Sequence, residues 1–180
     1  MMILANALTL FRVAAIGLFW YAMPVHTYAA LAIVLAAALS DALDGWIARR
    51  YHAVSRTGAF LDRCADKIFY IGALWVLRAD ISIGLLIMAA LPEAILFLMA
   101  IASYLGWSRM RLSASVVGKW KMRVHFSAII LLTLGYAIAG QSILSIGFIL
   151  VWVGYLLSCE SIILYLDSLD EKTASATPSR

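Results

Sequence analysis

Charge is what this chain has least of. Lysine, arginine, aspartate and glutamate make up 13% of its 180 residues, where a typical domain carries roughly a quarter. Hydrophobic residues reach 64% and the mean hydropathy is +0.95, which excludes a soluble fold and predicts an integral membrane protein. Cysteine is confined to Cys64 and Cys159, far apart in apolar segments, so neither a disulfide framework nor a cysteine metal motif is indicated. A basic leader and a small-residue cleavage site are both missing ahead of the first apolar run, so that run is expected to stay as a membrane helix. No internal repeat is evident. The net charge of +4 is explained by its placement in loops and does not point to nucleic acid.

What is abundant is apolar sequence long enough to cross a bilayer, which takes about 20 residues per helix. Six runs qualify, at 9–24, 28–50, 58–77, 81–105, 123–139 and 142–166. Short turn-like breaks separate most of them, and two longer breaks, 51–57 and 106–122, hold most of the charge. Residues 1–166 are expected to form a six-span domain, and 167–180 a polar, solvated, mobile cytosolic tail. Thirteen of the fourteen basic residues fall at or near one side, with Arg78 alone on the other. The positive-inside rule then places both termini and both long loops in the cytosol.

Acid is scarcer still, and it clusters. Asp41, Asp44, Asp62 and Asp66 lie within 26 residues, DALDGWIARRYHAVSRTGAFLDRCAD, inside segments that read as membrane-embedded. An ionised carboxylate there costs several kcal/mol (about 2.5–3.5 on insertion scales) unless it is neutralised, and is a functional-site hypothesis by default. Helical rise puts Asp41 and Asp66 about 12–13 Å below the same cytosolic surface, with Asp44 and Asp62 shallower. An antiparallel pair of helices thus brings all four to similar depth around a cytosol-facing polar cavity. The fold class expected is an all-α integral membrane protein with six transmembrane helices around that cavity.

Four converging carboxylates exceed what Arg49 alone can balance, and two divalent cations would balance them. Oxygen-only donors favour Mg²⁺, Mn²⁺ or Ca²⁺ over zinc, and a pair of such ions about 3.5–4 Å apart is the arrangement that clamps phosphoryl transfer. Gly45 and Gly58 leave room for a bulky ligand or a backbone. Ala48 allows close helix packing, and Arg49 offers a planar fork for phosphate. An EF-hand is excluded, because Gly45 follows the second aspartate without the alternating ligands of a calcium loop.

Asp41, Asp44, Gly45, Ala48, Arg49, Gly58, Asp62 and Asp66 fit Asp-x2-Asp-Gly-x2-Ala-Arg-x8-Gly-x3-Asp-x3-Asp, and the chain resembles the CDP-alcohol phosphatidyltransferases. The opening NALTLFR, Asn6 to Arg12, is similar to the first helix of the phosphatidylglycerol-phosphate and cardiolipin synthase branches. The resemblance implies transfer of a phosphatidyl group from CDP-diacylglycerol to an alcohol with release of CMP, at the cytosolic face of a bacterial inner membrane, by a homodimer. It implies Mg²⁺ or Mn²⁺ held by Asp41, Asp44, Asp62 and Asp66, with Asp66 as the general base. It also implies that Asp41, Gly45, Ala48, Arg49 and Gly58 meet the nucleotide and diphosphate.

Glycerol 3-phosphate ranks first as acceptor, because Gly118-Lys119-Trp120-Lys121 resembles the GKxK stretch of the glycerol-phosphate branch. Phosphatidylglycerol ranks second and another phosphorylated alcohol third. The chain departs from that branch at Met122 and His125, where Thr and Gln are usual, and at Arg63, where Pro is frequent. Arg109, Arg111, Lys119 and Lys121 are candidates for the acceptor's phosphate, although topology alone also predicts basic residues there. Glu93, mid-span, reads either as a protonated, hydrogen-bonded acid or as part of the acceptor pocket. Glu160 reads as a structural partner for a basic residue, and His52 as a solvated loop residue. From a different class, an intramembrane cation transporter would also use buried aspartates, but it needs neither Arg49 nor Gly58 at fixed offsets. A membrane prenyltransferase would place its acidic motifs on separated helix pairs.

Overall fold

Each apolar run closes its backbone hydrogen bonds as a helix, which leaves few amides to be satisfied by a medium that cannot hydrogen-bond. The computed structural model describes residues 2–51, 56–79, 81–105 and 116–176, with side chains described from Phe11 on, outside 41, 44–51, 56–57, 59, 62, 79, 116, 119 and 168–176. Its helices are α1 (Met2–Ala22), α2 (Thr27–Tyr51), α3 (Arg56–Val76), α4 (Ile83–Tyr104), α5 (Val116–Ala137) and α6 (Gln141–Ala176), with a 3-10 turn at Leu77–Ala79. The described residues are thus all-helical, as expected. Ile83–Tyr104 and Gln141–Asp167 are long and apolar enough to cross a membrane, and Phe11–Ala22 and Thr27–Ser40 are shorter apolar stretches.

Three boundaries differ from the sequence reading. Helix α5 begins at Val116 rather than at residue 123, inside the expected 106–122 loop, because a charged turn such as Lys119 to Arg123 lacks apolar character but not helix propensity. Helix α1 begins at Met2 rather than near residue 9, since MILANALT contains no glycine or proline and several strong helix formers. Helix α6 continues to Ala176 instead of ending at residue 166. Lack of apolar periodicity removes a reason to pack, not a reason to be helical. Leu169, Glu171, Lys172 and Ala174 all favour helix, and Pro178 is the first residue to disfavour it at its neighbour. At 36 residues the helix is about 54 Å long, well beyond a hydrocarbon core of about 30 Å.

The core is built from small and aromatic side chains on inward stripes. Ala15 and Phe19 of α1, Ala30, Val34 and Ala37 of α2, Phe69 and Ala73 of α3, and Ile129 and Leu132 of α5 are all buried together. Helix α1 packs on both α2 and α3, and α5 also touches both. The two aspartate-bearing helices are therefore bridged by α1 and α5, more than an isolated antiparallel pair would suggest. Helices α5 and α6 form the tightest hairpin. A Cβ at Gly147 would sit 2.9 Å from Leu132 Cδ2 and 3.1 Å from its backbone nitrogen, so hydrogen alone lets the backbones approach.

The α5–α6 turn closes with Gly140 N–H donating to Gly135 O at 2.9 Å, and Ala139 takes φ 50°. That left-handed position usually belongs to glycine, and a Cβ there costs about 1–2 kcal/mol. Ala139→Gly is therefore expected to stabilise the protein by up to about 1 kcal/mol, some of the gain being offset by the freer unfolded chain. Thermal unfolding in detergent measures this, and a lower melting temperature would contradict it.

Candidate active site

The described parts of α2 and α3 fix the register of the signature. On α2, Ala37 is buried and Leu39 and Leu43 are exposed. At about 100° per residue, positions 41 and 44 lie within about 40° of Ala37, while Leu39 and Leu43 lie more than about 100° away. On α3, Phe69, Tyr70 and Ala73 are buried and Leu61 and Ile68 exposed, and Asp66 belongs to the buried stripe. Position 62 is one turn earlier on that stripe, about 40° round. The side chains of Asp41, Asp44, Gly45, Ala48, Arg49 and Asp62 lie outside the described residues, as do those of Lys119 and the whole of Arg109, Arg111 and His52.

Asp66 is described, and it is 8% exposed. Its Oδ1 accepts from Nη1 of Arg12, a fully buried residue on α1. A guanidinium in that position balances a carboxylate that burial would otherwise penalise heavily. Gly58, two turns before Asp66 on α3, is half-buried.

Beside Asp66 lies a second polar group that links four helices. Glu93 of α4 is 1% exposed. Its Oε2 accepts from Lys67 Nζ of α3 at 2.7 Å, and its Oε1 from Lys121 Nζ of α5 and Ser158 Oγ of α6, each at 2.7 Å. The mid-span glutamate therefore has two ammonium partners and a hydroxyl, rather than the partners of a neutral acid alone. Lys121 sits inside the bundle, buried against Glu93, and Lys67 is buried too. Basic residues counted by side of the membrane cannot reveal this, because the count ignores which face of a helix they occupy. Glu160 is exposed on α6.

One turn further along, the stack continues. The His125 ring lies on the Tyr70 ring with centroids 3.8 Å apart and planes 9° from parallel. A Cβ at Gly154 would fall 2.5 Å from His125 Cδ2, so glycine on α6 makes the space for that ring. Tyr70 is four residues after Asp66, His125 four after Lys121, and Ser158 four after Gly154, a spacing that places each pair on one helix face. Asp66, Tyr70, Met122, His125 and three apolar neighbours line a narrow crevice between α3 and α5. Arg12, Lys67, Tyr70 and Ser158 were not among the expected site residues, and the i, i+4 relation to Asp66 and Lys121 was the signal available for Tyr70 and His125. Among the described residues no group of three or more His, Cys, Asp and Glu side chains could hold a metal. Three of the four aspartates fall outside that set.

An acid signature on two helices, with one carboxylate buried against arginine in a membrane bundle, defines a class already, and comparison agrees. The sequence model of the CDP-alcohol phosphatidyltransferase family matches residues 2–159, and the chain belongs to this family. Particular relatives narrow the class. The CDP-diacylglycerol--glycerol-3-phosphate 3-phosphatidyltransferase of Haemophilus influenzae is 33% identical over 131 residues, covering 68% of this chain and 70% of that protein. The Arabidopsis thaliana CDP-diacylglycerol--glycerol-3-phosphate 3-phosphatidyltransferase 2 is 28% identical over 181 residues, covering 91% and 78%. The Cereibacter sphaeroides enzyme of that activity is 29% identical over 140 residues, covering 72% and 62%.

Removing one partner of a buried ion pair leaves an uncompensated charge, at a cost of about 3–5 kcal/mol. Arg12→Met is accordingly expected to lower the unfolding free energy by about that amount, and Arg12→Lys by less. Denaturation in detergent distinguishes these, and wild-type stability for Arg12→Met would show that the pair contributes nothing.

Proposed function

We propose that this enzyme transfers the phosphatidyl group of CDP-diacylglycerol to the hydroxyl of glycerol 3-phosphate and releases CMP, in phospholipid biosynthesis. The observation that carries the proposal is Asp66, the last aspartate of the signature, buried beside Arg12 within the helical bundle. The names of the relatives supply the acceptor.

In this reading Asp66 accepts the proton of the acceptor hydroxyl as its oxygen attacks phosphorus, and the bond from phosphorus to the CMP oxygen breaks with its electron pair leaving on CMP. Arg12 pairs with the Asp66 carboxylate and orients it between turnovers. By helical spacing Asp41, Asp44 and Asp62 would face the cavity that Asp66 faces, and the four would offer oxygen donors alone, a set suited to two Mg²⁺ or Mn²⁺ ions. Such ions, when bound, neutralise the diphosphate and stabilise charge developing on the transferred group. Arg49, with Asp41, Gly45, Ala48 and Gly58, meets the nucleotide end. Lys121 and its neighbours Lys119, Arg109 and Arg111 draw the phosphate of the acceptor.

The same reading places six spans in a bacterial inner membrane, with both termini and the site cytosolic, and two copies in a dimer. Exposed aromatics support the membrane boundaries. Trp20, Tyr21 and Tyr28 are 64%, 78% and 67% exposed near the α1–α2 turn, and Arg78 stacks 4.4 Å over Trp75 at the same end, as interfacial anchors do.

Purified protein with CDP-diacylglycerol, glycerol 3-phosphate and Mn²⁺ is expected to form phosphatidylglycerol phosphate and CMP, read by lipid mass spectrometry. Excess EDTA is expected to stop turnover, and Asp66→Asn to cut kcat at least about a hundredfold while the protein remains folded. Transfer that persists in EDTA, or in Asp66→Asn, would refute the metal and base assignments respectively.

A further inference from the structure

Glu93 is bonded to two lysines, and the arithmetic of that node is unusual for a bilayer interior. Lys67 and Lys121 share one carboxylate, each at 2.7 Å, so at formal ionisation one positive charge is left over. A net charge in such a medium costs several kcal/mol, with insertion scales near 3 for lysine. A hydrophobic or neutral replacement would pack as well and avoid that cost. The surplus is oriented, too. The Glu93 side chain is 1% exposed, whereas those of Lys67 and Lys121 retain 11% and 6%, so the cations form the more open side of the node.

The node lies on the same stretch of the bundle as Asp66: Lys67 directly follows Asp66 on α3, and Lys121 directly precedes Met122 on α5, while Asp66 and Met122 themselves line one crevice. Ser158 Oγ, itself fully buried, lies 2.7 Å from the Glu93 oxygen that Lys121 also bonds and 2.8 Å from Gly154 O, so its one proton is shared between these two acceptors. It adds a neutral donor from α6 to the carboxylate.

We propose that Glu93 is a positioning residue for the transfer reaction: from α4 it holds the ammoniums of Lys67 and Lys121 beside Asp66, so that the leftover positive charge meets the phosphate of the acceptor. This rests on the acceptor being a phosphorylated alcohol, as proposed above. Glu93 touches no substrate; it acts through the two lysines. Without its carboxylate two buried ammoniums face each other unneutralised, and they separate, admit water or lose a proton. Each outcome removes the arrangement that grips the acceptor. The lipid donor, whose diphosphate is handled by the aspartate signature, is untouched.

The test is steady-state kinetics of Glu93→Gln, Glu93→Asp and Ser158→Ala in nanodiscs, varying glycerol 3-phosphate and CDP-diacylglycerol separately. Glu93→Gln is expected to raise the acceptor KM at least about tenfold with the donor KM within about twofold of wild type. Glu93→Asp, which keeps the charge, is expected to fall between them. Ser158→Ala, a milder change that still folds if Glu93→Gln does not, is expected to raise the acceptor KM about two- to threefold. In a Lys121→Met background, Glu93→Gln is expected to add far less to the acceptor KM than it does alone, the non-additivity of a residue acting through its partner. An unchanged or lowered acceptor KM, equal increases in both KM values, or full additivity with Lys121→Met would each overturn the role of Glu93. Wild-type protein that makes no product from glycerol 3-phosphate would instead overturn the acceptor assignment and this inference with it.

Discussion

A carboxylate buried among apolar helices must meet a cation, and the packing of this bundle brings the two together. Asp66 meets Arg12 across the α1–α3 contact, and Glu93 meets Lys67 and Lys121 across α3, α4 and α5. Polar links of this kind, with close contacts at small residues, join helices that are neighbours in the bundle. Gly147 and Gly154 bring α6 onto α5 at the level where Ser158 can reach Glu93. Structure and site share the same residues.

Asp66, the carboxylate proposed to react, is carried by the helical scaffold and not by a loop. Asp66 and Tyr70 share a face of α3, and with Met122 and His125 of α5 they line one narrow crevice. A site carried on rigid helices keeps its donors at defined separations, which phosphoryl transfer requires because its catalysis is largely positioning and electrostatics. The family membership, shown by the match over residues 2–159, fits a centre of this construction.

Much of this was legible in the residues. Among the described residues hydropathy and turn residues located the six helices, and the spacing of Asp41, Asp44, Asp62 and Asp66 suggested the family to which the chain belongs. Other features were hidden for physical reasons. Helical propensity carries α6 through a polar sequence that lacks any packing pattern. The placement of α1 against both α2 and α3 is a tertiary fact that no local pattern encodes. Lys67 looked like a topology signal, and Lys121 was expected to meet the acceptor's phosphate, because their partner, Glu93, lies 26 and 28 residues away on another helix. Arg12 is apolar in neighbourhood and basic in type, and only its burial against Asp66 reveals its part.

The most direct measurement is anomalous scattering from crystals of the protein grown with Mn²⁺ and a CDP-lipid. Two manganese peaks bounded by carboxylate oxygens of Asp41, Asp44, Asp62 and Asp66, with the diphosphate against them, are what the account predicts. Manganese found elsewhere, or those four side chains directed into lipid, would contradict it.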